Sequence, residues 1–356
     1  MRKVCISGTG MHVPEHSVDN DTLVEVFNNH AKQSGAPESS SAFIQKASAI
    51  ERRHLIDPEG VLDQARMSPT IPKRSDNELS FQAEFAHKAG LAALKNANIS
   101  GEEIDCIIVS CTNIQRPYPG IAIEIQSALG AKNAFAFDMQ VACSSATFGI
   151  NNAINIIQTG QAKRCLILSP EICSTQVDFT NRDSHFIFGD AAAAVVVEAI
   201  DTAKTAQFEV MSTHLKTDFS NNIRCNFGFL NPVSESGAIE RYFTQEGRKV
   251  FKEVTPLVIG HVTEHLSRHK LMPTDVSRYW LHQANGNMNA FIMKKLLDRE
   301  PTQSDAPVIL SEYGNTASAG SVLAFHLHSD IHSGQHGLLC SFGAGYSIGS
   351  ILLKKI

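Results

Sequence analysis

Apolar runs of strand length alternate along this chain with segments of helical period, and the alternation occurs twice in the same order. The runs Cys106–Cys111, Phe135–Phe137, Cys165–Ser169, Ala192–Glu198, Trp280–His282, Val308–Leu310, Leu338–Phe342 and Ile348–Lys354 read as buried strands. Between them, Ala146, Ile150, Ala153, Ile154 and Ile157 mark a helical stripe closed by Gly160, and Leu323, Ala324, Leu327 and Ile331 mark another closed by Gly334. In the first half the order is strand, turn at Cys143, helix, strand, strand; in the second it is strand from Val308, turn at Asn315, helix, strand, strand. This predicts an α/β fold built from two duplicated halves, 1–200 and 201–356, with an insertion at about 38–77 that forms part of a substrate loop. In such a duplication the polar residues of the two turns, Cys143 and Asn315, are set to meet at the pseudo-twofold axis.

With 43% hydrophobic and 19% charged residues the chain can bury a large core, and a net charge of −5 argues against a dedicated nucleic-acid binder. The eight Cys show no CxxC pair and no disulfide-like spacing, which points to a reducing compartment. The opening Met1–Gly8 reads as a strand entering a glycine turn rather than a secretory signal. No apolar stretch approaches the roughly 18 to 20 residues of a membrane span, so the cytoplasm is the expected location.

Asp138–Gly149 puts Cys143 where a strand ends and an amphipathic helix begins. Orphan N–H groups and the positive helix end stabilise a thiolate there, so the thiol can fall below its free pKa of about 8.5 without any adjacent base. A thiolate accepts an acyl group well because one thioester is exchanged for another. The alternative is one more small buried hydrophobe, the reading given to Cys5, Cys106, Cys165 and Cys340. His282 closes a strand in Tyr279–Asn285, where it is either a hydrogen-bond donor to a carbonyl or enolate oxygen or a structural His. Asn315, among the small residues of Glu312–Ser321, is either a second donor or a helix cap.

Taken in order, Ala142-Cys143-Ser144, His282-Gln283-Ala284-Asn285, Gly314-Asn315-Thr316 and Phe342–Ser350 resemble the motifs of the thiolase superfamily, most closely β-ketoacyl-acyl-carrier-protein synthase III. Ile50–His54 and Phe188-Gly189-Asp190 extend the likeness over nearly the whole chain. The resemblance implies a five-layered αβαβα fold, a homodimer, a Cys143–His282–Asn315 site and a tunnel admitting the pantetheine arm of coenzyme A or acyl carrier protein. It implies no separate cofactor and no metal.

By that analogy Cys143 takes an acyl group from acyl-CoA or acyl carrier protein, with the backbone N–H of Cys143 and Ala344 as oxyanion hole. His282 and Asn315 then hold the oxygen of a malonyl-type thioester while decarboxylation builds an enolate. A thiolase is disfavoured because Gly343-Ala344-Gly345 lacks a second Cys, and an elongating synthase because Asn315 stands where a second His would be. Non-decarboxylating condensing enzymes use a Glu base upstream of the nucleophile; Cys106–Gly120 holds no Asp or Glu, so that alternative needs a base folded in from elsewhere. A non-catalytic partner subunit would have lost the nucleophile.

Tyr118, in Arg116–Gly120, matches the family segment that reaches into a partner's acyl pocket. Phe43 and Ala47 stand where a Trp and an Arg often hold the nucleotide of coenzyme A, whereas Arg182 matches the adenine-contacting Arg. Asn287 replaces an Arg that contacts the carrier. Two further signals are set aside. Gly8-Thr9-Gly10 is a partial dinucleotide fingerprint without its helix, and His326, His328, His332 and His336 read as a solvated helix face.

Overall fold

The structure, a computed structural model, describes residues 2–228, 231 and 241–356. Its main sheet contains, in chain order, β1 (Val4–His12), β2 (Cys106–Ser110), β3 (Phe135–Met139), β4 (Arg164–Glu171), β5 (Ala191–Ala199), β6 (Phe208–Ser220), β7 (Val276–Leu281), β8 (His336–Gly343) and β9 (Gly345–Lys355). The principal helices are α1 (Asn20–Ser34), α2 (Ser41–Ser48), α3 (Phe81–Ala97), α4 (Ile121–Ala128), α5 (Ser145–Gln158), α6 (Gly247–Ser267), α7 (Gly286–Leu297) and α8 (Ala319–Leu327).

The strands lie in the order β7-β8-β9-β6-β1-β5-β4-β2-β3. From β1 outward, β5 and β4 are joined by antiparallel pairings and β2 follows in parallel; from β6 outward, β9 and β8 are antiparallel and β7 is parallel. β1 and β6 pair in register only at Cys5↔Glu209 and Ile6↔Phe208. This matched order supports dividing the chain into halves at the link between β5 and β6, a division we propose.

The inner strands β2, β4, β5, β8 and β9 bury both faces, in different cores. Ile107, Val109, Leu166, Leu168, Ala194 and Val196 pack with α3 and α4. Their neighbours Cys106, Ile108, Cys165, Ile167 and Val195 face α5 and α8, and so do Leu339, Ile351 and Leu353 of the other half. The outward residues Tyr279, Leu281, Leu338 and Cys340 pack with α6 and α7. Period-two alternation thus stacks helix, sheet, helix, sheet, helix, the expected αβαβα arrangement. α5 fits the central layer because Ala146, Ile150, Ala153, Ile154 and Ile157 bury its stripe, each Ile contributing on the order of 2 kcal/mol. Gly160, at φ 80, lies just beyond its end in the left-handed region.

Three local expectations are corrected. Val308–Leu310 is not a strand: Leu310 opens a short helix, and the N–H groups of Val308 and Ile309 are taken by the side chains of Gln303 and Gln283 at 2.8 and 2.9 Å. α8 stops at Leu327, so Ile331 and Gly334 lie in the following loop and His328 and His332 share no helix face; His326 instead meets Thr9 Oγ1 at 2.8 Å. β1 continues through Gly8 and Gly10 without a turn, with a shift in its pairing to β5 between Ile6 and Gly8. These glycines let α3 approach, since a Cβ would lie 2.3 Å from the Ala93 carbonyl at Gly8 and 2.2 Å from the Ala89 carbonyl at Gly10. The 38–77 insertion is ordered, carrying α2 and a strand, Arg52–His54, paired with Ser17–Asp19.

Candidate active site

Cys143 sits in a tight helical turn, Ala142–Ser144, immediately before α5. Ser145 shapes that turn: its Oγ accepts from the Val141 N–H at 2.8 Å and donates to the carbonyls of Ala142 and Cys111 at 2.7 and 3.0 Å. Ser144 Oγ donates to the Ser347 carbonyl at 2.9 Å, tying the turn to the β8–β9 junction that carries Gly343 and Ala344. The backbone N–H groups of Ala344 and of Cys143 itself face the sulfur and lower its pKa. Burial, and then the charge of Glu171, act in the other direction and push it up to about 12. The depression that this position allows is not realised: desolvation outweighs the N–H groups around the thiol.

His282 follows β7. Its N–H donates to the Cys340 carbonyl at 2.8 Å, and its carbonyl accepts from Asn289 Nδ2 at 3.0 Å, so strand and helix fix its backbone. The ring stands edge-on to Phe342, with centroids 5.3 Å apart. Burial lowers its pKa to about 4, against the opposing effect of the Ala317 carbonyl, and the imidazole is neutral at neutral pH. Asn315 bridges to Phe188, with its N–H on the Ile187 carbonyl at 2.9 Å and its carbonyl on the Gly189 N–H at 3.0 Å. Its Oδ1 accepts from the Ala317 N–H at 2.9 Å, which assigns the amide and leaves Nδ2 as its donor.

Cys143, His282 and Asn315 all line one cavity of about 480 Å³. Phe186, Phe188, Phe243, Val254 and Met288 supply apolar wall, with Asp183 and Arg248 also among its lining residues. Phe43 and Ala47 line it too, from α2 of the insertion. Asn285 and Asn287 hold α2 there through the carbonyls of Ala47 and Lys46 at 2.7 and 3.0 Å. The Arg182 guanidinium lies over the Phe43 ring at 4.0 Å, its Nε donating to the Glu38 carbonyl at 2.8 Å. Tyr118 is 82% exposed and is not among the residues that line this cavity.

One neighbour escaped the sequence reading. Glu171, at the end of β4, is fully buried and its carboxyl is raised by burial to about 7. Only its position, an acidic residue closing an otherwise apolar strand, marked it in the sequence.

A family model described as 3-oxoacyl-(acyl-carrier-protein) synthase III matches residues 137–219, and one for the C-terminal part of that family matches residues 266–355. Over 322 residues, 89% of this chain and 92% of the relative, 54% are identical to a beta-ketodecanoyl-(acyl-carrier-protein) synthase of Pseudomonas aeruginosa. A beta-ketoacyl-(acyl-carrier-protein) synthase III of Wolbachia pipientis is 31% identical over 99% of both chains. The crystal structure of the synthase III from Aquifex aeolicus superposes with a TM-score of 0.78 and 25% identity over 99% of each chain.

Proposed function

The chain belongs to the 3-oxoacyl-(acyl-carrier-protein) synthase III family, a condensing acyltransferase of thiolase-like fold, and we propose how its own residues divide the reaction. The observation that carries the reading is the opening of Cys143, His282 and Asn315 onto one cavity with apolar walls. Cys143 Sγ attacks the carbonyl of an acyl thioester; the carrier leaves as a free thiol, taking up the cysteine proton, and the acyl group stays on sulfur. The N–H groups of Cys143 and Ala344 receive the oxyanion, a role supported by their facing the sulfur.

A malonyl thioester follows. Breaking its carboxylate bond releases CO₂ and leaves an enolate whose oxygen takes hydrogen bonds from His282 and Asn315 Nδ2. Two neutral donors suit this step, since negative charge develops there. The enolate carbon attacks the acyl carbonyl, the sulfur departs and a proton from solvent restores the thiol. A non-decarboxylating condensation needs a carboxylate base: Glu171 is not among the cavity-lining residues, Asp183 is the lining carboxylate, and that alternative stands second to the decarboxylative reading.

The substrate reading takes its chain length from the P. aeruginosa relative: a β-ketodecanoyl product less a two-carbon extension is an eight-carbon acyl primer. Apolar walls and a volume of about 480 Å³ suit such a chain. In this reading the primer arrives on coenzyme A or acyl carrier protein and the extender on acyl carrier protein, Phe43 and Arg182 wall the entrance, and no other cofactor takes part. A homodimer belongs to it too: β3 is the last strand of the sheet, Phe135 on it is 42% exposed, and exposed Tyr118 would reach a partner's pocket. Eight free cysteines support a cytoplasmic location.

Intact-protein mass spectrometry after incubation with octanoyl-CoA tests the scheme. The expected result is one octanoyl group on the wild type and none on Cys143→Ala, with β-ketodecanoyl product on adding malonyl-acyl carrier protein. An unmodified wild type, or product from Cys143→Ala, would overturn it.

A further inference from the structure

Glu171 takes no part in this scheme, yet its charge acts on the Cys143 sulfur and its hydrogen bonds reach the loop that carries Asn315. Oε1 accepts from the Thr112 N–H at 2.9 Å, Thr112 Oγ1 at 3.1 Å, the Ser318 N–H at 3.3 Å and Ser318 Oγ. Cys173 Sγ lies 3.9 Å from Oε2. All four donors meet Oε1, which leaves Oε2 able to carry the proton that burial favours, so these contacts hold the carboxyl in place in either protonation state.

The Ser318 N–H and the Ala317 carbonyl are the two ends of one peptide unit. That carbonyl raises the His282 pKa against burial, and His282 Nδ1 is buried without a hydrogen-bond partner. The N–H of Ala317 donates to Asn315 Oδ1 at 2.9 Å. Ala317 holds φ at 46°, a left-handed conformation that costs a non-glycine residue about 1–3 kcal/mol and persists only under outside anchorage. A carboxylate on the N–H end of a peptide also polarises it, making the carbonyl a stronger acceptor.

We infer that Glu171 is a positioning residue: by holding the Ala317–Ser318 peptide it directs the Ala317 carbonyl toward His282 and the Ala317 N–H toward Asn315, and so serves condensation rather than acylation of Cys143. The inference rests on the roles proposed above for those three residues. It gives the two half-reactions opposite responses, because removing the charge of Glu171 removes one of the influences that hold the thiol protonated.

Acylation by octanoyl-CoA without extender, and steady-state condensation with malonyl-acyl carrier protein, are measured on full-length wild type, Glu171→Gln, Glu171→Asp and Ser318→Ala, each first checked by circular dichroism. Glu171→Gln is expected to acylate at least as fast as wild type, while kcat for condensation falls about 10- to 100-fold and KM for the extender changes less than about twofold. Glu171→Asp regains part of the loss. Should Glu171→Gln not fold, Ser318→Ala decides, with condensation reduced and acylation kept. Undiminished condensation, or acylation and condensation falling together, overturns the inference while leaving the site reading intact. A wild type that takes no acyl group on Cys143 overturns that reading and this inference with it.

Discussion

Gly343 is packed against Cys143 so closely that a Cβ on the glycine would lie 2.5 Å from the cysteine Cβ and 3.0 Å from its sulfur. Backbone in the β8–β9 junction therefore forms one wall of the nucleophile's pocket. Gly343→Ala is expected to cut acylation by octanoyl-CoA at least about 100-fold, since an ångström of misplacement at a reacting atom costs that much. Wild-type rates by stopped-flow or quenched mass spectrometry would remove the contact from any account of the site.

Asn315→Asp separates two functions of one amide. The carboxylate keeps an acceptor for the Ala317 N–H but loses the Nδ2 donor and sets a negative charge where the enolate forms. Condensation should drop about 100- to 1,000-fold, as for loss of an oxyanion donor, with acylation of Cys143 largely retained. The ratio of the two rates in single-turnover experiments is the readout; an unchanged ratio excludes Asn315 from the condensing step.

Gly8 is constrained by helix packing. An added Cβ meets the Ala93 carbonyl at 2.3 Å and the Ala97 nitrogen at 2.7 Å, both backbone atoms that cannot swing aside. Gly8→Ala should destabilise by about 1–3 kcal/mol and lower the melting temperature by a few degrees. Gly260, inside α6 with nothing within 4 Å of a Cβ placed there, is the internal comparison: Gly260→Ala should raise it slightly. Equal responses of the two variants would contradict the assignment.

Acid should unfold the protein early. Burial, the largest cause in each case, lowers His185, His261 and His282 to about 4 and His265 to about 3. Groups with folded pKa values below the unfolded value near 6.5 contribute stability that is complete above it and lost as pH falls toward 4. Glu171, raised to about 7, and Asp190, raised to about 6, act with the opposite sign, gaining stability as pH falls. Four histidines outweigh two carboxyls, so the melting temperature should drop by about 10 °C or more between pH 7 and pH 4.5. A constant or rising melting temperature in that window would show that the histidines are not buried as described.

The layered fold was legible because alternate residues of runs such as Cys106–Val109 serve two different cores, which forces both strand faces to be apolar. Cys143, His282 and Asn315 were legible through four ordered motifs. Val308–Leu310 misled because its apolar residues suit a strand, while its N–H groups are satisfied by Gln303 and Gln283, one of them 26 positions away. Glu171 was missed for a related reason: its partners Thr112 and Ser318 lie 59 and 147 positions distant, and its place at the end of an apolar strand does not by itself reveal four donors. The thiol misled because its position before α5 suggests stabilisation while its burial, set by the whole fold, decides the balance.

The narrow seam between β1 and β6 has a consequence for ancestry. In the division proposed above, sulfur rides on one half and imidazole and carboxamide on the other, so neither half alone holds a working set. Two identical copies facing each other would present a symmetric pair, two nucleophiles or two donors, and no route from an acyl group to an enolate. On that division, the chemistry of this chain depends on the difference between its halves.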